Sequence, residues 1–420
     1  MNTSWTELTL DDVCSKITDG AHHSPKSVEN GKPMSSVKDM TPFGLNLKSS
    51  RVISEDDFNK LVKQGCKPEV NDVLISKDGN SALDTVCRVR EPVDAVLLSS
   101  VAILRPDISV IEPEFLRLYL DAEPTRQYLK STSISGAAIP RVILKDFKRA
   151  KIKLPLSLDK QRVLSSYISN YDNLIENNNR RIAILEDMAQ SLYREWFVNF
   201  RYPNHEDNLD TDGNPKLVDS PLGQTPEGWE VKCLKGIGHI NTGKTPSKKK
   251  EENYSSRDVP FIKTPDMHSG MFVINTKEML STVGADSQKT KYIPSWSICV
   301  SCIGTAGIVA LSSQRSQTNQ QINTLVPESN KYTEFMYFAL KALKKTIENH
   351  GATGATMTNL SKSKFEALEV VLPDESILNE FHQLTNPMFK QIQALARKNE
   401  NLKQQRDMLL PKLISGQIEL

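Results

Sequence analysis

The chain has almost no net charge: 53 lysines and arginines stand against 51 aspartates and glutamates in 420 residues, a formal +2. That balance excludes a basic coat over the whole surface, so any nucleic-acid contact has to be local. Cysteine is sparse, six residues at positions 14, 66, 87, 233, 299 and 302 with one close pair. Such scatter makes no disulfide framework and fits a reducing compartment. No run approaches the roughly 18 apolar residues of a membrane span, and the opening MNTSWTELTL has neither a basic nor an apolar segment. The expectation is a cytoplasmic protein without membrane contact, built from about two to four domains at this length.

Complete catalytic motifs are missing as well. Cys299 and Cys302 form a C-x-x-C, but no second pair of cysteines or histidines follows at a spacing that would close a metal site. "NPMF" (386–389) is a partial match to the N-P-P-Y/F of amino-methyltransferases; it lacks the second proline and any glycine-rich cofactor loop upstream, and reads as a helix start. "GATGAT" (351–356) and "GTAG" (304–307) have neither the Lys-Ser/Thr of a phosphate loop nor a G-x-G-x-x-G, and suit tight turns instead. No metal site is expected.

What the chain does have is a repeat. "SGAAIPRVILKDFKRAKIKLP" (135–155) lies over "TGATMTNLSKSKFEALEVVLP" (353–373) without a gap, so Gly136 meets Gly354, Ala137 meets Ala355, Phe147 meets Phe365 and Pro155 meets Pro373. Upstream, "EFLRLYL" near 114 echoes "EFMYFAL" near 334, "DVLISKDG" (72–79) echoes "SICVSCIG" (297–304), and Trp5 answers Trp229. Alternation and bounding turn residues predict strands at "DVLIS" and "SICVS", and a helix at each "EF" segment. Each copy is therefore a mixed α+β unit of about 200 residues.

After each "LP" the period changes. Leu164, Ile168, Tyr171, Ile175, Asn178, Ile182, Leu185, Ala189, Leu192 and Trp196 alternate four and three apart, and Met388, Ile392, Leu395, Asn399, Leu402, Arg406 and Leu409 keep the same rhythm. That is a coiled-coil seam. Asn386 and Pro387 suit a helix start and Pro411 a stop or kink. Helices of about 25 to 35 residues would reach roughly 40 to 50 Å, too far for one small domain to cover, so the two are expected to pair antiparallel. Asn178, Asn399 and Arg406 either set the register of that pair or face solvent where it splays.

The segment 202–228 is rich in Pro, Gly, Asp and Asn without an apolar period, and reads as a linker. The organisation is then a first globular domain (1–155), a central helical spacer (156–200), a linker (201–227), a second globular domain (228–373) and a C-terminal helical spacer (374–420). A pseudo-twofold object follows, two globular domains separated by a pair of long antiparallel helices.

Local basic chemistry appears in "NTGKTPSKKK" (241–250), where Lys244, Thr245, Ser247, Lys248, Lys249 and Lys250 combine phosphate-binding charge with short polar side chains that reach base edges. Its counterpart in the first copy is "TDGAHHSPKS" (18–27), with His22, His23, Ser24 and Lys26. "SQTNQQINT" (316–324) offers Gln317, Asn319, Gln320 and Gln321, amides able to pair bidentately with adenine, where the first copy has "LLSSVAI". A shared framework with divergent polar loops is what two modules of different sequence preference look like, and also what neutral drift looks like.

The order "LGQTPEGWEVKCL", "INTGKTPS", "GATGATMTNLSKSKFEALEVVLP", "REWFVNF" and "RDMLLPKLISGQIEL" closely resembles the DNA-specificity subunit of type I restriction-modification enzymes, over nearly the whole chain. The resemblance implies two target-recognition domains, each reading half of a bipartite site in double-stranded DNA, with the helices as a ruler and no active site in this subunit. It implies two methyltransferase subunits docked on the helices, using S-adenosylmethionine, and translocating nuclease subunits using ATP and Mg2+. By framework position it adds Lys77 and Asn80, just past the "DVLIS" strand, to the candidate DNA contacts. The first copy departs from the family's usual "LPPLxEQ" with "LPLSLDKQR", and the second, "LPDESILNEF", lacks the counterpart of Gln161. Two other readings stay open here: the specificity subunit of a related enzyme that cuts on both sides of its site, and a coiled-coil scaffold with no DNA role.

Overall fold

The long helices are Leu158–Phe197 and Glu375–Ile414, 40 residues each, which at 1.5 Å per residue is ~60 Å of rod. The computed structural model describes residues 5–135, 139–209, 212–213, 216–351 and 358–418; Gly136, Ala137, Gly354 and Ala355 of the repeat alignment lie outside them. Two compact units divide the chain, one of residues 1–176 with 401–420 and one of 177–400, so each long helix contributes one half to each unit.

In the first unit an antiparallel sheet runs in the order Cys14–Asp19, Val101–Pro106, Val73–Ser76, Val86–Arg88. A smaller sheet has Lys32–Ser35 at its centre, antiparallel to Arg51–Ile53 and parallel to Val96–Leu97. A ribbon pairs Trp5–Thr9 with Lys151–Pro155, setting Trp5 opposite Pro155. The second unit repeats this plan. Its sheet is Gly238–Thr242, Ile322–Pro327, Ile298–Ser301, Val309–Ser312 with Phe272–Val273 added at the edge. Its smaller sheet centres on Val259–Ile262, antiparallel to Met279–Leu280 and parallel to Gln317–Thr318, and its ribbon pairs Glu230–Cys233 with Glu369–Leu372. Val73–Ser76 and Ile298–Ser301 are buried at every position rather than alternating, because both faces of a central strand are covered.

The "EF" helices are Pro113–Asp121 and Thr333–Ala342. Glu112 caps the first by accepting from the Phe115 amide at 2.6 Å, with Pro113 in the first turn. Gln161, buried, then fastens the long helix to it: Oε1 accepts from the Glu112 amide at 2.8 Å and Nε2 donates to Val110 O and Pro155 O at 3.2 and 2.8 Å. Gln161 is thus an internal clasp.

Within each unit the halves of the long helices pack antiparallel. In the first, Leu164 and Ile168 share a core with Leu410, Leu413 and Ile414, and Arg406 Nη1 donates to Asp172 Oδ1 at 2.8 Å. In the second, Asn178 meets Asn399 and Trp196 meets Phe381, so partners recede along one helix as the other advances. Asn178 and Asn399 are buried and Arg406 half-buried, which places all three in the seam rather than in solvent. Leu164, Ile168, Ile175, Ile392 and Leu395 are buried, and Tyr171, Ile182, Leu185, Met388, Leu402 and Leu409 half-buried.

Three local expectations are corrected. The second helix starts at Glu375, so Asn386 and Pro387 lie inside it. Pro387 removes one helical donor, but the carbonyl it would have bonded belongs to the exposed Gln383, while buried Phe381, Thr385 and Phe389 hold the turn. Pro411 does not stop the helix, which continues to Ile414 under the packing of Leu410 and Leu413. The segment 202–228 also holds a hairpin, Leu217–Ser220 with Gly223–Pro226.

Candidate nucleic-acid interface

In the second unit the two polar stretches singled out separately lie side by side. Lys244 N donates to Thr318 O at 3.0 Å, Thr245 Oγ1 donates to Gln320 Oε1 at 2.6 Å, and Gln288 Nε2 reaches both Lys244 O at 2.8 Å and Gln317 Oε1 at 2.7 Å. Gly243 makes the crossing possible, because a Cβ there would sit 2.1 Å from Asn319 O. The first unit is built alike. Ala21 N donates to Leu97 O at 2.7 Å, and a Cβ on Gly20 would lie 2.2 Å from that same oxygen. One backbone crossing thus launches a different loop in each copy.

Lys244, Ser247, Lys248, Lys249, Lys250 and Gln320 are exposed, and Thr245 and Gln321 half-buried. Lys248 Nζ lies 3.3 Å from Glu278 Oε1, and Lys263 pairs with the same carboxylate. The hydrogen bond from Lys263, with that from Lys248, holds the Glu278 carboxyl below the ordinary carboxylate range. Lys248, Arg257 and Lys277 line a groove of about 630 Å³ with Tyr254 at its wall, a convergence with no sequence signal because the three lysines and arginines come from separate segments. Gln317 and Asn319 differ from the expectation. Gln317 is fully buried, donating to Ala285 O at 2.8 Å and accepting from Gln288; Asn319 is buried and bonded to Gln321 through both side-chain atoms. These two amides are spent on holding the loop.

In the first unit His22, His23, Ser24, Lys26 and Asn80 are exposed. His22 Nε2 stands 3.1 Å from Asp19 Oδ1, and Arg51 donates to Ser24 Oγ. Lys77 is turned inward: its side chain is 6% exposed and its ammonium lies 2.7 Å from Asp19 Oδ2, so its charge is consumed inside the fold. Arg141, not singled out in the sequence, is exposed beside Asn80's turn, with Nε 3.1 Å from Asp78 Oδ1.

Cys299 lies in the Ile298–Ser301 strand and Cys302 just past its end. Cys299 and Cys302 are buried and free, and burial pushes their thiols up to about 12 and about 11. Among the described residues no group of three or more His, Cys, Asp or Glu is placed to hold a metal ion, and no helix is long and apolar enough to cross a membrane. Gly304 and Gly307 adopt positive φ, as tight turns require; 352–356 of the "GATGAT" run lies outside the described residues.

The helices carry exposed apolar side chains of their own. In the second unit Ile184, Met188 and Leu384 are about half exposed, and Ile184, Leu185, Pro387 and Met388 line a groove of about 430 Å³. In the first unit Val163, Tyr167 and Leu174 are exposed along one helix.

The model of a family described as the type I restriction modification DNA specificity domain matches residues 2–187 and 226–404. The specificity subunit of the HindI type I restriction enzyme of Haemophilus influenzae is 32% identical over 374 residues, 77% of this chain and 81% of its own length. That of the MjaIX enzyme of Methanocaldococcus jannaschii is 27% identical over 311 residues, 73% of this chain and 69% of its own. A solved S subunit of a type I restriction-modification system from M. genitalium has the same fold, with a TM-score of 0.60 at 16% identity over 98% of this chain and 96% of its own.

Proposed function

The chain belongs to the family of type I restriction-modification DNA specificity subunits, and from that premise we propose that each unit reads one half of a bipartite site in double-stranded DNA. The long helices set the unread gap between halves and dock two methyltransferase subunits. The single observation that carries this reading is the repeated backbone crossing at Gly20 and Gly243, which presents a histidine-bearing loop in one copy and a lysine-rich loop in the other. A scaffold duplicated with its crossing intact and its polar loops unlike supports two readers of different preference. Lys244, Lys249 and Lys250 would supply phosphate contacts, and Gln320, His22 and His23 base-edge contacts.

Exposed apolar side chains on the helices support docking of protein partners there. A 40-residue helix of ~60 Å also exceeds the ~34 Å turn of duplex that separates half-sites in two-headed readers. S-adenosylmethionine, ATP and Mg2+ belong, in this reading, to the methyltransferase and nuclease partners, and the chain itself recognises rather than catalyses. The test is a module exchange. Residues 228–373 are replaced by those of another family member, the hybrid is assembled with the methyltransferase subunits, and methylated adenines are mapped. One half of the motif should change while the other half and the gap stay; an unchanged motif would overturn the reading.

A further inference from the structure

Arg315 stands apart from the other cations of the second unit. Its guanidinium carbon lies 3.5 Å from the centroid of the Tyr292 ring, it is exposed, and it makes no ion pair with a carboxylate among the described residues. The ring is itself fixed: Tyr292 Oη donates to Asp286 Oδ1 at 3.1 Å, and Asn241 Nδ2 donates to the carbonyls of Thr290 and Tyr292 at 3.1 and 3.3 Å. The backbone on either side is pinned too, because Ser316 and Ile293 exchange hydrogen bonds at 3.0 and 2.9 Å. Stacking uses the face of a guanidinium and leaves its N–H edge pointing away, a flat fork of donors held in one orientation.

The position belongs to the loop that carries the candidate readers. Arg315 precedes Gln317, whose side chain is joined through Gln288 to the Lys244 carbonyl. The parallel registers equate Gln317, opposite Phe261, with Val96, opposite Met34, so the counterpart of Arg315 in the first copy is Asp94. Asp94 there accepts from Lys32 and Lys67 at 2.7 and 3.0 Å. One scaffold position therefore carries a neutralised acid in one copy and an unpaired, stacked arginine in the other. Neutral drift of a surface loop does not require an aromatic clamp whose hydroxyl and carbonyl are both anchored.

Resting on the DNA reading above, we propose that Arg315, clamped by Tyr292, reads a guanine of the second half-site through its O6 and N7 acceptors. A guanidinium edge matches those two acceptors bidentately, whereas an ammonium at the same place is a point charge that favours phosphate. Tyr292 is the positioning residue.

The test uses the chain assembled with its methyltransferase subunits and a library of duplexes randomised over the site. The wild-type complex is expected to select a bipartite motif containing a G·C pair that Arg315→Ala and Arg315→Lys both relax, losing roughly 10- to 100-fold preference there. Every other position, including the whole first half, should keep its preference. Tyr292→Leu should relax the same pair, and Tyr292→Phe, which keeps the ring, should restore it. Thermal melting of each variant checks that the fold is intact. Uniform weakening across all sequences, a Lys variant that selects like wild type, or an unchanged motif would each overturn the proposal while leaving the DNA reading in place. A wild-type complex that selects no motif would instead overturn the DNA reading, and the proposal with it.

Discussion

Asn178 donates its side-chain amide to Asn399 at 2.8 Å, and Asn399 donates onward to Asn179 at 2.8 Å, inside the seam between the long helices. Both Asn178 and Asn399 are 4% exposed, so the bond is made without competition from water, and a slipped register would strand two buried amides. Asn399→Leu alone should destabilise the protein by ~1–3 kcal/mol, the cost of an unsatisfied buried amide. Asn178→Leu with Asn399→Leu should recover that loss or exceed it, because leucines pack where amides do not, while the spacing of the two halves of the methylated motif becomes less sharply defined. Urea titration reads the first effect and mapped methylation the second. A single variant as stable as wild type would show that the amide bond does not restrain the pair.

The first unit places a denser polar cluster at its own helix junction. Arg117, 1% exposed, donates to Glu114 Oε1 at 2.7 Å and to Asp172 Oδ2 at 2.5 Å, and Arg406 closes on the other oxygen of Asp172. Removing the shared anion leaves Arg117 charged and buried with one partner fewer. Asp172→Leu is therefore expected to cost ~3–5 kcal/mol, whereas Arg406→Met, at a half-buried site that still leaves Asp172 paired with Arg117, should cost less. Equal losses in urea denaturation would mean that the cluster is held by Arg406 instead.

Gln317 and Gln320 carry the same side chain to opposite ends. Gln317 is enclosed and bonded to Ala285 O and Gln288, so Gln317→Leu should lower stability by ~1–3 kcal/mol by leaving those partners unsatisfied. Gln320 is exposed and, among the described residues, is bonded through its side chain to Thr245, so Gln320→Ala should leave the melting temperature nearly unchanged and alter DNA selection. Melting curves beside site selection separate the two; a destabilised Gln320 variant would remove it from the readers.

That contrast marks what the residues announce and what they hide. The duplication, the "EF" helices, the central strands and the heptad seam were legible because apolar periodicity and local spacing determine them. Whether a polar side chain faces in or out is decided by partners far along the chain: Lys77 meets Asp19 across 58 positions and Gln317 meets Gln288 across 29. Pro387 misled for a related reason, since tertiary burial of Phe381, Thr385 and Phe389 outweighs a local helix-breaking rule. Arg315 gave no signal at all, because its aromatic clamp lies in another segment.

Glu278 joins stability to binding in one residue. Lys263 first and Lys248 second hold its carboxyl below the ordinary value of 4.5. The folded state therefore releases that proton more readily than the unfolded chain, and the stability so gained is present above pH 4.5 and lost as pH falls through the lowered value. Glu278→Gln lacks this contribution, so its melting temperature should fall below wild type at pH 7 and converge with it as the medium is acidified. The same change frees Lys248 and removes a negative charge beside the loop. At pH 7 the assembled complex should then bind duplex DNA more tightly at low salt, for all sequences alike, with a salt slope steeper by about one unit. A melting gap that widens below pH 4.5 would contradict the pairing. An unchanged slope would instead show that Lys248 does not reach phosphate once released.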